Sequence, residues 1–261
     1  MLTGNKLGLQ KKNFKILDGI DVQVNKGEIL IIIGPNGAGK SSLLSLMANE
    51  QNSASGEIYF KNKKYPEWNI LELAHQKAKF SQENNSGIGL TVAEIVLMGR
   101  YPYFETQPGK TDIEFVNVAM QQTEIFHLKD RAYNSLSGGE KQRVHLARVL
   151  VQLENSNKEK LIFLDEPLNN LDVRHQHHIL KLIRAFAGKG NSAVLVLHDL
   201  NLTAEFADRI LLLKKGKTVA FGDINAVFKP EIISEAFDYP CQIFKNPVNA
   251  LPMVVFGQPE N

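Results

Sequence analysis

One stretch of this chain constrains its fold more than any other. The isoleucine-rich run Glu28–Ile33 leads straight into Gly34-Pro35-Asn36-Gly37-Ala38-Gly39-Lys40-Ser41, and Ser41–Ala48 then places Leu43, Leu44 and Met47 at helical spacing. A continuous apolar run of that length is a buried strand, so the pattern is strand, glycine-rich turn, helix. The turn fits G-x-x-x-x-G-K-[ST]. Glycines let successive backbone N–H groups curl around concentrated negative charge, and the helix N-terminus adds positive potential. A phosphate chain is the expected ligand. Lys40 is expected to reach its outer phosphates, Ser41 to offer a hydroxyl to Mg²⁺, and Ser42 to touch a phosphate.

A second apolar run, Leu161–Leu164, ends in Asp165 and Glu166. Asp165 is expected to hold Mg²⁺ and Glu166 to polarise an attacking water as general base. Hydrolysis needs that second acid, whereas nucleotide binding alone does not. His198 follows the strand run Ala193–Leu197. It stands at a strand's carboxyl end, where ligands bind in open α/β sheets, within reach of a terminal phosphate. Asp199 is placed to cap the helix that begins near Leu200.

Further strands are expected at Ile16–Val24, Gly56–Lys61 and in a hairpin of Ile210–Leu213 with Thr218–Phe221. Helices are expected at Thr91–Met98, Ile113–Phe126, Gly138–Leu153 and His175–Ala187. The helices of residues 87–154 interrupt an otherwise strand-rich chain. The reading is one α/β domain over 1–261, with core and β-subdomain in 1–86 and 155–261 and a helical lobe in 87–154.

Composition narrows the class. A net charge of +2 is too small for the concentrated basic face that nucleic-acid binding needs. No apolar run reaches the length of about 18 residues that spans a bilayer, and the first residues lack an apolar core of signal-peptide length. The single cysteine, Cys241, excludes an intrachain disulfide, fits a reducing compartment and is read as a small buried side chain.

Leu136-Ser137-Gly138-Gly139-Glu140 settles the class at the sequence level. In order with the phosphate loop and the Leu164-Asp165-Glu166-Pro167 string, it resembles the ATP-binding cassette (ABC) family over essentially the whole chain. The resemblance implies a P-loop NTPase fold with a RecA-like core, an antiparallel β-subdomain and an inserted helical lobe. It implies a head-to-tail dimer in which Ser137, Gly138 and Gly139 of one copy close on ATP held by the other. It also implies that Gln82 is the glutamine sensing Mg²⁺ and the terminal phosphate, that Asn170-Leu171-Asp172 is the loop signalling between the two sites, and that His198 is the switch histidine. The family often carries an adenine-stacking aromatic ahead of the phosphate loop. Phe14 lies near that place but within a strand, where core packing is expected.

Three segments resemble the metal-chelate importer branch, which handles siderophores, heme and vitamin B12. They are Leu90–Glu94 with Met98–Pro102, Val144–Leu150, and Leu171–His178; the last two resemble the heme-importer subgroup. Met98–Pro102 is expected to line the groove that receives a permease. The polar stretch 154–160 is the place of an added loop in that subgroup. The stretch 223–256 resembles the branch's short tail, packed on the core. His175 and His178 share a helix face with no cysteine or carboxylate completing a metal site, so a polar face is expected. The resemblance implies ATP and Mg²⁺ as cofactors, a membrane-embedded permease dimer as partner and a solute-binding protein as an indirect one. It places the chain at the cytoplasmic face of the cell membrane, held there by the permease. A siderophore or cobalamin importer ATPase and a non-transport ABC ATPase, such as a cluster-assembly component, are the alternatives. Gln82 and Ser137 stand too close for the coiled-coil arm of repair proteins.

Overall fold

A computed structural model describes residues 1–12, 14–80 and 89–257. The chain forms two compact units, Met1–Glu67 with Ser192–Asn261, and Trp68–Asn191.

The first unit opens with β1 (Leu2–Lys11) and β2 (Phe14–Val24), an antiparallel pair in which Leu2 faces Val24, Leu7 faces Ile20 and Leu9 faces Leu17. These side chains are buried, which fixes the register, because a one-residue slip would turn them all outward. β1 was not legible as a strand in the sequence. Next come β3 (Ile29–Ile33), buried along its whole length, then α1 (Lys40–Met47), β4 (Ser55–Phe60) and the short β5 (Lys63–Lys64). The antiparallel sheet runs β2-β1-β4-β5.

The second unit begins with α2 (Ile70–Ala74), capped by the Asn69 side chain, and β6 (Lys77–Phe80). Its helices are α3 (Val92–Leu97), α4 (Lys110–Gln122) and α5 (Gly138–Gln152), followed by β7 (Leu161–Asp165), parallel to β6, and α6 (Val173–Gly188). Thr91 and Glu94 close a capping box on α3. Val92, Ile95 and Val96 pack with Val116, Met120, Val144 and Val151 into one helical core. Each fully buried side chain of this kind contributes about 1.5–3 kcal/mol.

Between α3 and α4, Met98–Tyr103 winds as a 3₁₀ helix. It is anchored by Arg100, only 4% exposed, whose Nε donates to Asp112 Oδ1 at 2.8 Å and whose Nη1 donates to the Val151 and Glu154 oxygens at 2.9 and 2.7 Å. The guanidinium lies 3.6 Å from the centre of the Tyr103 ring. Neighbouring Tyr101 is 58% exposed. The polar stretch after α5 joins the same clasp: Asn155 Nδ2 donates to Tyr103 Oη and to the His75 oxygen. Lys160 Nζ is buried against the Leu153 and Asn155 oxygens, and burial lowers its pKa.

The chain then returns to the first unit with β8 (Ser192–Val196), α7 (Leu200–Phe206), β9 (Arg209–Lys214) and β10 (Lys217–Gly222). Within this unit the strands lie in the order β10-β9-β3-β8, with β3 parallel to both β8 and β9. The tail holds α8 (Ile224–Val227), α9 (Pro230–Phe237) and a hairpin of β11 (Cys241–Lys245) and β12 (Pro252–Phe256). Val254 N–H donates to Asn201 Oδ1 of α7 at 2.9 Å, so the tail packs on this unit as expected. Cys241 is buried beside Ser234. No helix among the described residues is long and apolar enough to cross a membrane.

Candidate functional site

The phosphate loop leaves β3 at Gly34, whose φ of 145° and position suit glycine alone: a Cβ there would stand 2.1 Å from the Leu213 oxygen of β9. Pro35 to Ala38 turn the chain, with Ala38 N–H on the Pro35 oxygen at 3.2 Å. Gly39, at φ 97°, caps α1 with its backbone. Lys40 is buried, and its ammonium donates to the oxygens of Gly34 and Pro35 at 2.9 and 3.0 Å. The lysine therefore arches over its own loop, concentrating positive potential where the N–H groups converge. Ser41 and Ser42 occupy the first turn of α1, Ser41 on its exposed side. Asn36 and Gly37 form the exposed crest of the loop.

His198 stands beside this loop by sheet register. Ile32 of β3 pairs with Val196 of β8, and Leu197 N–H donates to the Ile32 oxygen at 3.3 Å. Gly34 and His198 each lie two residues beyond that pair, at the carboxyl edge of two adjacent parallel strands. His198 is exposed. Asp199 caps α7 as expected, accepting from Asn201 and Leu202 N–H at 2.7 and 2.9 Å.

In the second unit β7 carries Asp165 at its end, with Glu166 one step beyond. Glu166 has φ 49°, left-handed for a residue with a side chain, a strain that clusters at functional sites. Its position is doubly held. Gln142 of α5 donates to the Glu166 oxygen at 3.0 Å, and Asn169 Nδ2 donates to Glu166 Oε2 at 2.6 Å. Neither Gln142 nor Asn169 stood out in the sequence as a site residue; the only signal was their closeness to the two motifs.

Ser137, Gly138 and Gly139 open α5. Ser137 Oγ accepts from Glu140 N–H at 3.3 Å while Ser137 N–H donates to Glu140 Oε2 at 2.7 Å, a full capping box. The Ser137 backbone and hydroxyl bonds hold the Glu140 carboxyl below the usual range. Gly139 is required by the segment passing over it, since a Cβ would stand 2.7 Å from the Asn170 oxygen. Ser137 to Glu140, Arg143, Asp172 and His175 line a cleft of about 360 Å³. The structure thus brings Asn170-Leu171-Asp172 against the helix opening. Asp172 caps α6, and the His175 N–H bond it accepts is the main cause of its lowered pKa.

Phe14 lies in β2 but is 74% exposed, so its expected core packing is wrong: it stands at the β1–β2 turn, next to its partner Lys11, where no second layer covers it. Gln82 lies outside the described residues. The histidines after Asp172 form a polar helix face. His175 binds Asp172, and His178 Nε2 lies 2.7 Å from the Gln122 oxygen.

The donor sets fit their expected ligands. A glycine cradle with a buried lysine suits a polyphosphate, and the Ser41 hydroxyl and Asp165 carboxylate are the hard oxygens that Mg²⁺ prefers. The family model described as "ABC transporter" matches residues 17–169. A hemin import ATP-binding protein, HmuV, of Methylobacillus flagellatus is 40% identical over 95% of this chain and 93% of its own. One of the same name from Pseudomonas fluorescens is 39% identical over 98% and 99%. Among solved structures, a chain of an inward-facing metal-chelate type ABC transporter has TM-score 0.82 at 28% identity, covering 99% of this chain and 98% of that one. MJ0796, a bacterial ABC transporter cassette in dimeric form, has TM-score 0.74 at 26% identity, covering 86% and 99%.

Proposed function

This chain belongs to the ABC transporter family as an ATP-binding, ATP-hydrolysing subunit, and from that premise we propose that it energises import of hemin through a membrane permease. The observation carrying the reading is that α1 opens at Gly39–Lys40 behind a glycine-rich loop, that α5 opens at Ser137–Gly139, and that β7 ends in an acid pair. Two copies set head to tail supply both halves of each ATP site. The hemin reading rests on the names of the relatives aligned over nearly the whole chain.

In this reading residues 1–261 form one cassette, with the helical lobe at 87–154. Gly34–Ser42 and Lys40 bind the phosphates of ATP. Ser41, Asp165 and Gln82 are the residues that would hold Mg²⁺, which would neutralise charge on the terminal phosphates. Glu166, turned by its left-handed backbone and held by Asn169, takes the proton of the attacking water. His198 donates to the terminal phosphate. Ser137, Gly138 and Gly139 of the opposing copy direct N–H groups at the same phosphate, and Asp172 reports closure across the dimer. Exposed Tyr101, on the segment clasped by Arg100, faces the permease. The chain sits at the cytoplasmic face of the cell membrane through that permease, and a solute-binding protein delivers the cargo on the other side.

The test is co-expression with a permease of the metal-chelate importer type. ATP turnover of the complex is expected to rise with a hemin-loaded binding protein. A response to a siderophore-loaded protein alone rejects the hemin assignment.

A further inference from the structure

Helix α4 ends in a complete Schellman motif, with Ile125 N–H on the Met120 oxygen at 2.9 Å and Glu124 N–H on the Gln121 oxygen at 3.0 Å. The left-handed position of that motif usually belongs to glycine, which adopts it without strain. Here it is Glu124, at φ 55°. A side chain kept where glycine is cheaper has a task beyond ending the helix.

The contacts of Glu124 indicate the task. Its backbone oxygen accepts from Arg143 Nη1 of α5 at 2.8 Å. Its carboxylate takes Arg174 Nη2 at 2.9 Å and faces His175 Nε2 at 3.5 Å. The other ring nitrogen of His175, Nδ1, lies 2.8 Å from Asp172 Oδ1. The path runs from Asp172 through His175 and Glu124 to Arg143, from one wall of the cleft at Ser137–Glu140 to α5, which forms the other. Arg143, Asp172 and His175 all line that cleft.

We propose that Glu124 and His175 are positioning residues for ATP hydrolysis: they lock the Asn170–Asp172 segment to α5 so that both walls of the cleft meet the opposing copy's nucleotide as one rigid surface. This rests on the dimeric ATPase reading above. The His175 ring lies between two carboxylates, at 2.8 and 3.5 Å, and so sets the distance between them, whereas Arg174, largely exposed, adds little by itself. Neither Glu124 nor His175 lies in the phosphate loop, so binding of ATP to the single chain does not depend on them.

The experiment measures ATP turnover, ATP affinity and thermal melting of the full-length chain as wild type, Glu124→Gly, His175→Ala and the double variant, with Glu166→Gln as control. Glu124→Gly removes the bridge and relieves the backbone strain, so it is expected to melt at or above the wild-type temperature with unchanged ATP affinity. Its kcat is expected to fall about tenfold, the scale of coupling residues outside a binding site. His175→Ala is expected to fall equally, and the double variant to match either single one. A Glu124→Gly kcat within about twofold of wild type, or single effects that multiply in the double variant, overturns the proposal. Should Glu124→Gly melt lower than wild type, the glutamate is structural and the proposal fails. Wild-type hydrolysis unaffected by Glu166→Gln overturns the parent reading and this one together.

Discussion

The side-chain amide of Gln142 donates to the main-chain oxygen of Glu166 across 3.0 Å. One turn into α5, past the cap at Ser137, a residue thus grips the peptide that aims the second carboxylate of the acid pair. The helix that opens at Ser137 and the strand that leads into the acid pair are thereby directly linked.

Glu166→Gln retains the Asn169 contact and the left-handed turn but cannot take a proton. ATP binding is expected to persist while kcat falls by about 10²–10⁴-fold, the usual contribution of a general base. The variant is expected to accumulate as an ATP-bound dimer, read by light scattering. Turnover near wild type removes Glu166 from the role.

Gln142→Leu leaves the Glu166 oxygen without this donor. The oxygen keeps the Asn169 N–H at 3.4 Å, so the loss is that of one hydrogen bond, about 0.5–1.5 kcal/mol, and the melting temperature should drop measurably. The kcat is expected to fall while ATP affinity holds, because the phosphate loop is untouched.

Lys40→Ala removes the buried ammonium that arches over the loop. Charge-assisted hydrogen bonds are worth about 1.5–3 kcal/mol each, which weakens ATP binding by roughly tenfold or more in a calorimetric titration. Unchanged affinity refutes the phosphate-loop assignment.

Arg100→Met strands the Asp112 carboxylate inside the helical core. Breaking such a buried pair from one side costs about 3–5 kcal/mol. The double variant Arg100→Met with Asp112→Leu is expected to recover part of the loss in chemical denaturation, since no lone charge is left behind.

His145 sits in α5 with Nε2 against Tyr133 Oη at 2.6 Å, and its pKa is pushed down to about 4, first by burial and then by Arg148. The folded chain therefore holds the ring neutral while the unfolded chain binds a proton below its ordinary value of 6.5. Stability is expected to fall as pH drops from about 6.5 to about 4, by up to about 3 kcal/mol, and to level off below that. His145→Phe should flatten that part of the stability–pH curve; an unchanged slope assigns it elsewhere.

The parts of the site built from local backbone were legible in the sequence. Gly34–Ser41 and Asp165–Glu166 stand out because each follows an apolar strand run, and Ser137–Gly139 through its resemblance to the family's motif. What links them was hidden, because Gln142, Asn169 and Glu124 act through single contacts that only the packing of helices creates. β1 was missed since its apolar positions, Leu2, Leu7 and Leu9, break alternation where the strand bulges. The β11–β12 hairpin was missed for the opposite reason: a short, part-exposed strand pair offers little periodicity. Phe14 shows that strand membership does not decide burial at the end of a hairpin.

Lys40 already rests on the oxygens of Gly34 and Pro35. Arrival of a phosphate exchanges acceptors around a nitrogen that is in place, without freezing a loose segment. Such a receptor captures its ligand in a single kinetic step, with an association rate set by encounter and salt. Its binding heat capacity should reflect the small apolar surface covered by the nucleotide, with no added contribution from a loop folding around it.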